Sequence, residues 1–237
     1  MSPTTIPEIQ RKNLASTPLQ MKAMRINDLL SFDFMDPPSP QALISSMEQL
    51  YSLGALHEEG FLTKLGCIMA ELPLESSISK IFLEGVYLGC SDEILTIISM
   101  IDTGDIFYRP SNKQKEANHK REIFIHPEAD HLTLLVVYEA WKANNFSAAW
   151  CIEIFVQSRS LRRIQDLGIV SAGKDSTKIR RAIAAGFFFQ TVYIHRSSVL
   201  FHPQPYSVIY QVLLQTTKDT TKEYMCKTTV IVRELFG

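Results

Sequence analysis

Residues 39–70 read SPQALISSMEQLYSLGALHEEGFLTKLGCIMA and carry the signals of two helices around a short hairpin. Ser39 is a favoured N-cap, Pro40 suits the first helical position, and Gly54 suits a C-terminal stop. The apolar residues between them recur at helical spacing, which predicts an amphipathic helix. Two short apolar pairs then flank a Glu-Gly turn, which predicts a small hairpin, and a second short helix follows at Leu65–Ala70. Two helices and a hairpin in this length predict a winged-helix domain.

Length and composition are those of a globular protein. The chain has 237 residues, of which 46% are apolar and 21% charged, which predicts one or two domains, or more if the modules are small. The N-terminus shows no secretory signal, and no apolar run is long enough to cross a membrane. The cysteines show no paired spacing, which predicts free thiols in a reducing compartment. They are Cys67, Cys90, Cys151 and Cys226.

Charge is distributed unevenly along the chain. Between Asn27 and Asp105 there are thirteen Asp and Glu residues against two Lys. Between Ser147 and Leu200 there are eight Lys and Arg residues against three acids. Because a polyanion needs positive partners, the acidic winged helix is predicted to contact protein, whereas the later basic stretch is a candidate for phosphate contacts.

Residues 76–166 are predicted to be all-helical. Ser91 is the expected cap of one helix, with two acids in its first turn, where the helix dipole favours them. Strong apolar periodicity predicts a helix over Asp130–Asn144 and another over Ser147–Asp166.

The end of the chain is predicted to be β-rich. Alternating or β-branched stretches occur at 191–195, 206–214 and 228–232, and Phe187 is a candidate start of the first strand. The size of this part fits a five-stranded barrel of the OB type. A tandem repeat, TTKD then TTKE at 216–223, is predicted to lie in a loop between strands.

No complete catalytic motif is present. Residues 168–175 read GIVSAGKD, which is a phosphate-binding loop except at Asp175, where a Ser or Thr hydroxyl would be needed to bind magnesium. The six histidines form no metal-ligand pair, and His126 and His131 beside Glu128 and Asp130 read better as a helix start capped by Asp130 than as a metal cluster. We therefore predict no catalytic residue, no metal and no cofactor.

Two basic groups are the candidate RNA-binding residues. Arg159, Arg162 and Arg163 share one helical face, and guanidinium groups suit phosphate because they donate hydrogen bonds in a fork. A solvated or salt-bridged helix face explains the same pattern, so both interpretations stay open. The second group, on the following helix, is Lys178, Arg180 and Arg181.

Several segments together resemble the C-terminal region of the DEAH-box RNA helicases, in particular the spliceosomal members that release mature mRNA. The resemblance covers nearly the whole chain, in the family's order. Its segments are IPEIQRKNLA (6–15), NDLLSFDFMDPP (27–38), QLYSLGAL (49–56), AELPLE (70–75), DHLTLL (130–135) and SRSLRR (158–163).

The resemblance implies a mainly helical fold with a C-terminal β-rich part. It implies a winged helix over 1–72, a helical ratchet-like domain over 73–186 and an OB-fold over 187–237, shortened because the chain departs from the family near 166–168 and 189–192 and after Thr229. His195, Ser197 and Ser198 match a His-x-Ser-Ser segment of the family and join the RNA-binding candidates. The two RecA-like lobes that bind ATP and Mg²⁺ are expected to be absent.

By this resemblance the chain is an accessory module of an ATP-dependent pre-mRNA-splicing helicase and not an enzyme on its own. The expected partners are single-stranded RNA and G-patch or spliceosomal proteins, with no membrane, in the nucleus or the cytoplasm. Two alternatives remain, a stand-alone protein-interaction module and a degenerate truncated helicase copy.

Overall fold

The computed structural model describes residues 14–159, 161–162, 175–187, 193–194, 208–216 and 219–230. The chain divides into two compact units, Met1–Lys80 and Ile81–Gly237. The described part is mainly helical, as predicted. None of its helices is long and apolar enough to span a bilayer.

The first unit contains α1 (Ser16–Ala23), α2 (Pro40–Ser52) and α3 (Lys64–Glu71). The predicted signals set the ends of α2. Ser39 Oγ accepts a hydrogen bond from the Ala42 amide at 3.2 Å. Gly54 adopts φ +75°, and the amides of Gly54 and Ala55 donate back to the carbonyls of Tyr51 and Leu50 at 2.8 and 2.9 Å. This is the pair of bonds that closes a helix at a left-handed glycine.

The predicted hairpin is present as a single antiparallel bridge between Leu56 and Leu62. The His57 amide donates to the Phe61 carbonyl at 2.8 Å, and Gly60 turns the chain at φ +78°. Thr63 then caps α3, because its hydroxyl accepts from the Gly66 amide at 2.9 Å. The helix–hairpin–helix arrangement predicted from the sequence is therefore recovered, with a hairpin of minimal length.

The second unit begins within α4 (Ser76–Leu88) and continues with α5 (Ser91–Asp102), α6 (Gln114–Glu122), α7 (Asp130–Ala143), α8 (Ala148–Glu153) and α9 (Ser176–Phe187). Two expected caps are wrong. Cys90 occupies the N-cap of α5 and Ala129 that of α7, and neither helix start has a side-chain cap bond.

The predicted helix over Ser147–Asp166 is broken after α8. Phe155 adopts φ +58°, and Val156 pairs with Phe107 in an antiparallel bridge. The Gln157 amide donates to the Ile106 carbonyl at 2.8 Å, so an extended segment competes with the helix for these backbone groups. The chain is helical again at 158–159 and 161–162.

The core of the second unit is built around Trp141, which is fully buried. Tyr138, Phe124 and Leu161 pack into the same cluster, and so do apolar residues of α5 and α8. Phe146 lies edge-on to Trp141, with ring centroids 4.9 Å apart. The Trp141 indole donates to the Ser147 carbonyl at 3.2 Å, so its polar atom is satisfied inside the core.

The described β part is a sheet of order β1–β3–β2, formed by β1 (Tyr193–Ile194), β2 (Val208–Thr216) and β3 (Asp219–Val230). β2 pairs antiparallel with β3, and β1 pairs parallel with it. The five-stranded OB barrel is not confirmed. Two predictions are wrong, since Phe187 ends α9 instead of starting a strand, and the second repeat copy, 220–223, lies inside β3.

Candidate nucleic-acid interface

Arg159 and Arg162 are exposed on the helical residues that follow the extended segment. Leu161 lies between them with an exposed fraction of 0% and packs into the core beside Cys151 and Ile154. Because a buried leucine fixes this short helix, its two guanidinium groups are held on the outside of the unit. The charge of Arg162 lowers the pKa of the Cys151 thiol, although burial of the thiol raises that pKa more.

Lys178 and Arg181 lie on α9, Lys178 exposed and Arg181 half-buried. Asp175, the residue that breaks the phosphate-loop motif, precedes this helix and accepts from the amides of Thr177 and Lys178, both at 3.2 Å. Its second carboxylate oxygen lies 3.8 Å from Lys178 Nζ. The Asp175 carboxylate therefore caps this helix, which is a structural role.

Arg180, the third member of the second basic group, is buried and ion-paired. Its exposed fraction is 6%, and Nη2 lies 3.2 Å from Glu128 Oε1. Ile179 and Ile183 face the core on the same helix, and Arg180 lies at the edge of their face. Arg180 therefore makes its contact inside the unit, and its role in RNA binding stays a prediction.

The two basic groups lie near different buried thiols of the second unit. Burial raises the pKa of both thiols, and the rise is opposed by the charge of Lys178 at Cys90 and of Arg162 at Cys151. Cys151 shares the core with Met100, near the end of α5. Arg163, His195, Ser197 and Ser198 lie outside the described residues.

Segment 126–131, which the sequence predicts to be a helix start, makes several contacts in the structure. The Glu128 amide donates to His126 Nδ1 at 3.2 Å, and the His126 amide donates to Thr133 Oγ1 at 2.9 Å. The His131 ring is buried and stacks on Phe187, with centroids 6.1 Å apart. Burial lowers the pKa of His126, with Glu128 opposing the shift and Arg180 adding to it. Across the described ranges, no three His, Cys, Asp or Glu side chains gather as metal ligands.

The described thiols differ sharply in accessibility. Cys67 is exposed, whereas Cys90 and Cys151 are buried and free. Burial raises the pKa of the Cys90 thiol to about 11. Since only the thiolate is nucleophilic, Cys90 should be inert at neutral pH for two independent reasons.

We expect iodoacetamide at pH 7.5 to alkylate Cys67 in the native chain and to leave Cys90 and Cys151 unmodified, as read by peptide mass mapping. Urea should expose all three. The raised Cys90 pKa also predicts stability that is intact below pH 9 and declines as the pH rises from 9 toward 11, because only the unfolded state releases the proton there. Alkylation of Cys90 at the rate of Cys67 in the native chain would contradict this packing.

The first unit exposes large apolar side chains. Met35, Met24 and Leu30 are the most exposed of a set that also includes Phe61, Tyr51, Ile68, Ile44 and Phe32. Asp28, Asp33 and Asp36 are interspersed with the apolar residues of the connection between α1 and α2. Such a mixture of exposed apolar and acidic groups is typical of a surface that another protein covers.

Comparison with known proteins gives two family matches and a related protein. A family described as "Helicase associated domain (HA2), winged-helix" matches residues 46–74, and "Helicase associated domain (HA2), ratchet-like" matches residues 75–134. The chain is 44% identical over 250 residues to the "Pre-mRNA-splicing factor ATP-dependent RNA helicase prp22" of Schizosaccharomyces pombe. That alignment covers 92% of this chain and 21% of the relative, so the chain spans about a fifth of that protein's length.

Proposed function

We propose that this chain contributes RNA-channel binding to a spliceosomal DEAH-box helicase. The premise is that it carries the helicase-associated winged-helix and ratchet-like domains found in the C-terminal region of such a helicase. ATP and Mg²⁺ would bind the RecA-like lobes of the motor and not these domains. The domain limits 1–72, 73–186 and 187–237, the OB-type fold of the last part and a nuclear site of action belong to the same proposal.

The observation that best supports RNA binding is the pair of outward arginines, Arg159 and Arg162, fixed by buried Leu161. A guanidinium held on a rigid helix loses little conformational freedom when it binds a phosphate. Lys178 and Arg181 of α9 add further positive charge to the same unit. The proposal therefore assigns the RNA backbone to the second unit.

The Arg159→Ala, Arg162→Ala double variant should bind a fluorescein-labelled uridine oligomer roughly tenfold more weakly than the unmodified chain in anisotropy titrations. Two lost phosphate contacts should also make the slope of log affinity against log salt shallower by about 1.4. A Lys64→Ala, Lys115→Ala variant removes the same charge from two exposed lysines elsewhere and is the control. An affinity and a salt slope equal to those of the control would show a merely solvated arginine face.

A second candidate function is protein interaction through the first unit, favoured by its exposed apolar and acidic side chains. An acidic apolar surface complements a basic amphipathic segment, so the proposed partner is a G-patch or spliceosomal protein that presents one. Titration with a G-patch peptide in the absence of RNA separates the two candidates. Saturable peptide binding that survives the double arginine substitution would support the second.

A further inference from the structure

Arg180 is a buried charge with a specific partner. Its guanidinium lies 3.2 Å from Glu128 Oε1, and the Arg180 side chain is far less exposed than that of Glu128. Its Nε atom is buried and has no hydrogen-bond partner among the residues that the structure describes. A buried charge is tolerated when a counter-charge lies beside it, so the position of α9 depends on Glu128.

Glu128 engages the start of α9 with both carboxylate oxygens. Oε1 pairs with Arg180, and Oε2 accepts from the Ser176 hydroxyl at 3.4 Å. The backbone of Glu128 is itself fixed, because its amide donates to His126 and the His126 amide donates to Thr133 of α7. The carboxylate is therefore presented to α9 from a rigid turn.

The C-terminal end of α9 contacts segment 126–131 as well. His131 stacks on Phe187, the last residue of the helix, and Gly186 and Ile183 are buried. The helix also lies against α5 and against β2 and β3. A two-point attachment of this kind fixes both the axial position and the rotation of α9.

We infer that Glu128, acting through Arg180 and Ser176, is a positioning residue that sets the placement of Lys178 and Arg181 toward a bound RNA backbone. This inference rests on the proposed RNA-binding function, but it assigns Arg180 to the interior and gives Glu128 a role that no sequence signal indicated. An ion pair of this kind can stabilise a binding surface, because the strength of a charged contact depends steeply on the position of the charged group.

The direction of the change in RNA affinity distinguishes a positioning role of Glu128 from a purely electrostatic effect of its charge. Glu128→Gln removes a negative charge, so electrostatics alone would tighten binding of a polyanion. Loss of positioning predicts the opposite, an affinity for the uridine oligomer roughly three- to tenfold lower. Glu122→Gln, which neutralises an exposed carboxylate of α6, is the matched control and should bind as tightly as the unmodified chain or more tightly.

The experiment combines anisotropy titration with amide hydrogen exchange of residues 176–187, at a temperature where every variant is folded. Glu128→Gln should exchange at least tenfold faster across α9 and bind RNA more weakly. The charge-swapped Glu128→Arg, Arg180→Glu variant should recover both the protection and the affinity, and it carries the test if Glu128→Gln does not fold.

The outcomes are distinguishable. Unchanged or tighter RNA binding in Glu128→Gln would overturn the positioning role, and so would unchanged protection of α9. The proposed function is tested separately. It fails if the unmodified chain binds no RNA, or if the Arg159→Ala, Arg162→Ala variant binds RNA like its lysine control. Weaker binding with faster exchange, restored by the swapped pair, supports the inference.

Discussion

Replacing Trp141 with alanine should lower the free energy of unfolding of the second unit by about 3–5 kcal/mol, the usual cost of deleting a fully buried large aromatic side chain. Trp141 has an exposed fraction of 0% and contacts Phe146 edge to face. Its indole also donates to the Ser147 carbonyl, which would lose that partner. Domains of this size are stabilised by only about 5–15 kcal/mol, so the variant should be close to unfolded at 37 °C.

The measurement is urea unfolding followed by far-ultraviolet circular dichroism, and the chain supplies its own control. It has two tryptophans, and Trp150 is only partly buried at the edge of the same core. Trp150→Ala should therefore cost about 1–2 kcal/mol, because less apolar area returns to water. Equal losses in the two variants would show that the core is not centred on Trp141.

The helix ends of the first unit could be predicted from sequence because their determinants are local. Ser39, Pro40 and Gly54 act through their own backbone and the residues three or four positions away, so α2 begins at the predicted residue. Leu161 is buried, as the apolar periodicity of residues 147–166 indicates. Arg159 and Arg162 follow from it, since they lie on the other face of the same short helix.

The break after α8 and the role of Arg180 could not be predicted in this way. Val156 leaves the helix because Phe107, far away in the chain, offers it a backbone partner. The sequence places Arg180 beside Arg181 on a basic helix face. The burial of Arg180 becomes visible only from its contact with Glu128 in the structure. Both features depend on residues that the fold brings together, and no single-sequence pattern encodes such a pairing.

Replacing Gly66 with alanine should destabilise the first unit by about 3 kcal/mol, although alanine is the better helix former by about 1 kcal/mol. An added Cβ would overlap the Ala55 carbonyl oxygen and lie 2.9 Å from Leu62 Cδ2. The same carbonyl accepts from the Thr63 amide at 3.0 Å, so it cannot move without breaking the turn into α3. A backbone obstacle of this kind cannot be relieved by a side-chain rotation.

Gly85→Ala is the matched comparison. There the new Cβ would meet only side-chain atoms, Ile94 Cγ1 at 2.8 Å and Cβ at 3.2 Å, and because Ile94 is fully buried the expected loss is about 2 kcal/mol, in the second unit. Urea unfolding of the full chain, with hydrogen exchange resolved to residues 40–71, locates the damage of Gly66→Ala in α2, the hairpin and α3. Adding Leu62→Ala should not rescue Gly66→Ala, because the Ala55 carbonyl stays in place. Full rescue would mean that Leu62, and not the backbone, excludes a side chain at position 66.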